Sequence, residues 1–269
     1  MKHSTSWGGS QLRALREALG KTQLEVELDA DLGSGYLQRV ESGKVKHPER
    51  LTVERILAAL SARYAQRRDI LEYYGYIVET PLPTTDESEW AAGLCRDVLN
   101  GVPFPAYLLD CAHRLIEWNA FTPKLFGLTS RLKGMSRLAH TSMVKALFDP
   151  ASGAANLIHN PDEFYPATLR AFRYEMRLTQ GEAWHQDVMD DLLTVPRFRE
   201  YWERIEQDDL AAAPARPLTP IEFKLPQIGV LKFRLTSEIL SEDRRFRIIY
   251  YLPADSATLD QCAVWSREV

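Results

Sequence analysis

The chain has 269 residues, of which 45% are apolar and 26% charged, a balance typical of a folded globular protein with a substantial core. Its net charge of −4 does not mark the whole chain as a nucleic-acid binder, and no apolar run reaches the roughly 18 residues that a membrane-spanning helix needs. Three scattered cysteines and the absence of an apolar leader favour a cytoplasmic protein with reduced thiols and no membrane contact.

The N-terminal part is predicted to form short helices. Thr22 and Glu25 make a capping-box pattern that opens the second helix. The triplet Asp31-Leu32-Gly33 interrupts that helix, and Ser34 is predicted to cap a third. Residues 1–78 are therefore predicted to be an all-α bundle.

One gap-free motif spans the second and third predicted helices. It runs from Thr22-Gln23 through the hinge Asp31-Leu32 to Tyr36-Leu37-Gln38-Arg39-Val40-Glu41-Ser42-Gly43-Lys44. This motif resembles the helix-turn-helix of Xre-like, phage-repressor-type regulators. The resemblance implies an ion pair between Arg16 and Glu41 and binding to double-stranded DNA. The implied DNA-binding residues are Gln23, Ser34, Gly35, Tyr36, Gln38, Arg39, Lys44 and Lys46.

The resemblance also implies a division of roles among these residues. The third helix would lie in the major groove, where Gln38 and Arg39 offer bidentate hydrogen bonds to adenine and guanine. Gln23, at a helix N-terminus, would hold a phosphate, and Lys44 and Lys46 would contact the backbone without reading sequence. The alternative is a helical bundle that contacts another protein.

Some residues depart from the family pattern. Glu27 and Asp29 stand where small or apolar residues are usual. Gly33 and Gly35 would each cost the third helix about 1 kcal/mol if they were helical.

The segment between the two halves has no apolar periodicity. Residues 80–89 read TPLPTTDESE, which is rich in proline, threonine and acidic residues. We therefore predict a linker at residues 79–92 and a second domain at residues 93–269.

The second domain is predicted to be α+β. Two strands flank a turn at residues 110–113, and a short helix follows Asn119. Three apolar stripes at helical spacing occupy the middle of the domain. Three alternating segments near residues 221–225, 231–235 and 246–252 predict strands of an antiparallel sheet that helices cover on one side.

Several different short motifs follow one another along this domain. They are Pro105-Ala106-Tyr107, Trp118-Asn119-Ala120, Leu147-Phe148-Asp149-Pro150, Pro196-Arg197-Phe198-Arg199 with Trp202, and Tyr250-Tyr251-Leu252-Pro253. Their order and spacing resemble the ligand-binding domain of MmyB-like transcription regulators. The resemblance implies a PAS-like sensor, with an antiparallel sheet of about five strands, joined to a helix-turn-helix bundle.

No nucleophile, metal-ligand or phosphate-loop signature occurs, so no enzyme activity, metal or required cofactor is predicted. The predicted ligand is a small, apolar, fatty-acid-like molecule bound between the helices and the sheet. Its head is expected near an arginine, a histidine or a tyrosine, with Arg173 and His140 as the named candidates. For each apolar residue the simpler interpretation is packing in the core. The predicted ligand-binding residues are Trp118, Phe126, His140, Phe148, Leu169, Phe172, Arg173, Leu192, Leu231, Phe233 and Ile248.

These patterns together favour a homodimeric, ligand-responsive transcription regulator. Two alternatives stay open at this stage. The second domain could serve only for dimerisation or partner binding, or the chain could be an enzyme with a DNA-targeting head.

Overall fold

The computed structural model describes residues 6–127, 141–206 and 220–268. The chain divides into two compact units, Met1–Glu79 and Thr80–Val269. Each unit has an apolar core of its own.

The first unit is helical. Its helices are α1 (Trp7–Ala18), α2 (Gln23–Asp29), α3 (Tyr36–Glu41), α4 (Arg50–Ala59) and α5 (Tyr64–Tyr73). The capping box predicted at the start of α2 is present, because Thr22 and Glu25 exchange side-chain and backbone hydrogen bonds. The helices share one core, formed by Leu12, Val26, Ala30, Leu37, Val40, Val53, Ile56, Leu57, Leu60, Ile70, Leu71 and Tyr74.

The second unit contains both helices and strands. Its elements are α6 (Thr85–Gly101), β1 (Ala106–Asp110), β2 (Leu115–Trp118), α7 (Phe121–Leu125), α8 (Met143–Phe148), α9 (Pro161–Met176), α10 (Ala183–Leu193), α11 (Pro196–Glu206), β3 (Ile221–Leu225), β4 (Gly229–Ile239), β5 (Phe246–Pro253) and α12 (Ser256–Ser266).

The five strands form one antiparallel sheet in the order β2-β1-β5-β4-β3. The early hairpin β1–β2 joins the late strands through β1 and β5, where Leu108 lies opposite Ile248. The predicted α+β fold with an antiparallel sheet of about five strands is thus confirmed.

Helices cover both faces of this sheet, not one. The main core lies on the face covered by α7 to α12, and Tyr107, Ile249 and Tyr251 point into it. A smaller core lies on the other face, where α6 packs on Leu108 and Ile248.

The prediction that Ile248 faces the main helical layer is therefore wrong. β5 is apolar on both faces, so its alternation could not tell which set of residues faces which layer.

The predicted linker at residues 79–92 is also corrected, because α6 begins inside it. Thr84 caps α6 by accepting from the backbone N–H of Glu87, and the Glu87 carboxylate accepts from the Thr84 N–H at 2.9 Å. Just before α6, the backbone N–H of Thr80 donates to Glu182, and the Thr80 carbonyl accepts from the Trp184 indole at 2.8 Å. The proline and threonine content of this segment suggested a linker, although Thr84 and Glu87 form a capping box that begins a helix.

Within the described ranges, none of the helices combines the length and the apolar character needed to cross a membrane.

Candidate functional site

A buried carboxylate organises the first unit. Glu41, the last residue of α3, is fully buried and accepts hydrogen bonds from Arg16 Nε at 2.7 Å and Arg16 Nη2 at 3.1 Å. Gln23 Nε2 donates to the same carboxylate at 2.7 Å, and Arg13 Nε does so at 3.4 Å. The predicted ion pair between Arg16 and Glu41 is present. Together with the hydrogen bond from Gln23, it joins α1, α2 and α3 at one point.

Two opposing effects act on the pKa of Glu41. Burial by itself would raise this pKa, because a carboxylate loses hydration in an apolar environment. Hydrogen bonds from Arg16 and Gln23, together with the charge of Arg16, outweigh burial and hold the pKa below its usual value. Glu41 is therefore ionised at neutral pH.

A second buried carboxylate sets the start of α3. Glu27 is 3% exposed and accepts from the backbone N–H of Gly35 at 3.0 Å and of Leu37 at 2.8 Å. N–H groups in the first turn of a helix have no hydrogen-bond partner within the helix, and this end of a helix favours a negative charge. Glu27, which departs from the family pattern, thus has a clear structural role in this chain.

The predicted Ser34 cap is wrong. Gly35 is the N-cap of α3, with φ of +75°. As a glycine it has no side chain that could cap the helix. A left-handed conformation is accessible to glycine at little cost, so Gly35 directs the chain into α3 without the penalty of a helical glycine. Glu27 provides the capping function that the sequence suggested for Ser34.

The predicted DNA-binding side chains form an outward surface around α3. Ser34, Gln38, Arg39, Lys44 and Lys46 are exposed, whereas Gly35 and Tyr36 are half-buried. The Arg39 guanidinium lies 5.3 Å from the centre of the Tyr36 ring, a distance that allows a cation–π contact.

Gln23 differs from the other members of this set. It is half-buried at the first position of α2, and its side-chain amide nitrogen donates to Glu41. That contact fixes the orientation of the side chain. The predicted contact of Gln23 with a phosphate stays a prediction.

In the second unit, seven of the predicted ligand-binding residues meet in the main core, and Trp118 packs at its margin. Ile248 lies on the other face of the sheet. Arg173 is half-buried and donates from Nη1 to the carbonyl of Ile205 at 3.2 Å, and His140 lies outside the described residues. The seven predicted ligand-binding residues that lie in the main core are Phe126, Phe148, Leu169, Phe172, Leu192, Leu231 and Phe233.

Two buried tyrosines were missing from the predicted ligand-binding set. The hydroxyl groups of Tyr107 and Tyr251 lie 3.1 Å apart, and both residues are at most 2% exposed. The Phe126 ring contacts both, with ring centres 6.4 Å and 6.2 Å away. Both tyrosines belong to motifs quoted above, but only strand pairing through β1 and β5 brings them together.

A cluster of ionisable residues at the margin of the main core was also missed. Glu175 on α9 forms an ion pair with Arg247 Nη1 on β5, and its carboxylate lies 3.2 Å from Nε2 of His113. His113 is 1% exposed, and its ring packs edge-on against Phe172 with ring centres 5.0 Å apart. The three residues come from distant parts of the sequence, so no local motif could have indicated them.

A groove of about 330 Å³ opens on the other face of the sheet, between α6 and the end of β4. Leu94, Val98 and Ile248 contribute apolar surface, and the acidic residues Glu238 and Glu242 also line the groove. Like charges repel, so this groove suits a neutral or cationic molecule better than a fatty acid.

The cysteines are free and buried. Burial raises the pKa of Cys111 to about 12 and the pKa values of Cys95 and Cys262 to about 11. Because the thiolate is the reactive form, these three thiols are poor nucleophiles at neutral pH.

The architecture defines a class of protein: a helical N-terminal unit, consistent with a helix-turn-helix domain, followed by a five-stranded antiparallel sheet packed with helices. Residues 94–262 match the family model of the MmyB-like transcription regulator ligand binding domain. The match covers more than half of the chain, which therefore belongs to this family of transcription regulators. A comparison with curated proteins finds no match.

Proposed function

We propose that the chain is a sequence-specific DNA-binding regulator whose second unit senses a small, apolar, fatty-acid-like molecule. The observation that carries the DNA-binding part is the arrangement around α3. Two buried carboxylates, Glu27 and Glu41, fix this helix from its two ends, while Gln38 and Arg39 stay exposed on it. Rigid support with free polar side chains is what base recognition requires.

The roles of the exposed residues follow from their chemistry. Gln38 presents a donor and an acceptor to a base edge, and Arg39 presents paired donors. Ser34 and Tyr36 lie at the entry to the same helix. Lys44 and Lys46 follow α3 and neutralise phosphates, so they contribute affinity but little sequence preference. No metal or cofactor is required for this function, and we propose no catalytic activity.

Replacing Arg39 with alanine is expected to weaken binding to the preferred DNA sequence by about 1–3 kcal/mol, a factor of roughly 5 to 150. It should also relax the preference at one base position. The measurement is fluorescence anisotropy with duplexes selected from a random pool, at two salt concentrations. Lys46→Ala should instead weaken all duplexes alike and reduce the salt dependence.

Arg67→Ala, which removes the same charge from α5, is the matched control and should change affinity little. Wild-type binding that shows neither sequence preference nor salt dependence would refute the DNA-binding proposal. Equal weakening of every duplex by Arg39→Ala would restrict Arg39 to phosphate contacts.

The sensing part of the proposal is supported by the family and by the large apolar layer between the helices and the sheet. A molecule that binds only the folded state must raise the melting temperature. Dodecanoate, used as a probe, is therefore expected to raise the Tm of the full chain in a concentration-dependent way. If neither dodecanoate, dodecanol nor a lipid extract changes the Tm, the sensing proposal fails, and a role in dimerisation alone becomes the better account.

We also propose that the regulator acts as a homodimer. Two copies of α3 would then occupy half-sites about 34 Å apart, or a multiple of that distance. Sedimentation analysis with and without the selected duplex tests the stoichiometry of two chains per site.

A further inference from the structure

The inner face of β5 changes from charged to apolar along its length. Ile249 and Tyr251 point into the main core, and Arg247, two residues earlier, lies on the same face of the strand. Residues on one face of a strand are spaced by roughly 7 Å per pair. This face therefore offers a guanidinium at one end and a continuous apolar surface beyond it, which is the polarity pattern of an aliphatic carboxylate.

Glu175 occupies only part of the hydrogen-bonding capacity of the Arg247 guanidinium. Its side chain is 14% exposed, and within the described part of the chain Glu175 is the acidic residue that forms an ion pair with it, through Nη1. A guanidinium carries five N–H donors in a planar fork that matches a carboxylate. Arg247 can therefore hold a second carboxylate, or exchange the first for another.

The position of Glu175 is electrostatically unfavourable for its own helix. It lies in the last turn of α9, where the exposed carbonyl groups disfavour a negative charge. Arg247 and the nearby Nε2 of His113 compensate for this. Two partners of this carboxylate thus lie outside its helix, and a competing anion could take its place beside them.

His113 links the cluster to the apolar layer. It is buried in the β1–β2 turn with φ of +58°, and its ring packs against Phe172, a member of the main core. Its backbone carbonyl accepts from Met143 at 2.8 Å, which ties the turn to the start of α8. A head group beside His113 would therefore place its chain next to aromatic side chains.

We propose that Arg247 and His113 bind the carboxylate head of an aliphatic monocarboxylic acid, which takes the place that Glu175 occupies in the structure. This inference rests on the proposed sensing function and assigns its head-group site. It replaces Arg173, whose guanidinium contacts a backbone carbonyl of α11, as the anchoring arginine. Release of Glu175 would remove the ion pair that links the end of α9 to β5 and so give the ligand a means to alter the helical layer.

The test compares dodecanoate with dodecanol, which has the same chain and no charge, by calorimetric titration of the full chain. Wild-type protein is expected to prefer dodecanoate. In Arg247→Met that preference should fall by at least about tenfold, while dodecanol binding stays unchanged. Arg247→Lys keeps the charge but lacks the fork, so its preference should be intermediate.

Glu175→Gln gives an independent measurement that loss of folding cannot imitate. Removal of the competing carboxylate should raise the affinity for dodecanoate severalfold and leave dodecanol unaffected. Arg177→Met, which removes an exposed charge just beyond α9, is the matched control and should bind both probes as the wild type does.

Two results would overturn the head-group assignment while the sensing function stood: an undiminished dodecanoate preference in Arg247→Met, or weaker dodecanoate binding in Glu175→Gln. If neither probe binds any of these proteins, the sensing function and the head-group site are both rejected.

Discussion

Glu41→Gln is expected to lower the free energy of unfolding of the N-terminal unit by about 3 kcal/mol. The fully buried carboxylate accepts from Arg16, Gln23 and Arg13, so its loss leaves Arg16, with a side chain only 12% exposed, without its principal counter-ion. Glutamine keeps the size of the side chain, so the effect isolates the charge. Hydrogen exchange of peptides from α1 and α3 in the full chain gives the measurement.

Glu17→Gln is the matched control. Glu17 lies 3.6 Å from the same Arg16, but its side chain is 61% exposed, so the change should cost no more than about 1 kcal/mol. Equal losses of unfolding free energy in the two variants would show that burial does not make the Glu41 ion pair more stabilising than the exposed one.

The same carboxylate predicts an acid sensitivity. Its pKa is lower in the folded unit than in the unfolded chain, so its contribution is complete at neutral pH and disappears as the pH falls below about 4. Glu41→Gln should therefore narrow the difference in stability between neutral and acidic solution. If it leaves that difference unchanged, other carboxyl groups account for the acid sensitivity.

Arg245→Met is expected to destabilise the second unit by about 3–5 kcal/mol. The Arg245 side chain is 2% exposed and bonds to Asp243 at 2.7 Å and to Glu87 at 2.6 Å. It also donates to the Pro81 carbonyl at 3.4 Å, so it joins the β4–β5 turn to the segment that leads into α6. Without it, the buried Asp243 carboxylate has lost its counter-ion. Thermal unfolding and hydrogen exchange of α6 and β5 report the change.

Two variants separate this ion cluster from general effects of a lost charge. Arg244→Met removes an exposed neighbouring charge and should change stability by less than about 0.5 kcal/mol. Adding Asp243→Asn to Arg245→Met should recover part of the loss, because no unpaired charge stays buried. A double variant less stable than Arg245→Met would instead assign the main role of Asp243 to its hydrogen bonds within the turn.

Local patterns predicted most of the fold, because helix starts and strand alternation depend on neighbouring residues. Thr22 and Glu25 predicted the start of α2, and the spacing from Gln23 to Glu41 indicated the helix-turn-helix pattern. The Thr84 and Glu87 pair carried the same signal, but the prolines around it suggested a linker. The ion pair of Arg16 with Glu41 came from the family resemblance and is present in the structure.

The sequence by itself therefore determined the helices of the first unit, the five strands in their order, the family and the exposed side chains of α3, but it indicated neither α6 nor α12. Tertiary structure decided which face of β5 meets the main helical layer, because both faces are apolar and only packing with α6 tells them apart. It also decided that Glu27, not Ser34, caps α3, and that His113, Glu175 and Arg247 meet. These are contacts between residues distant in sequence, whose partners are set by the packing of whole elements and not by any local pattern.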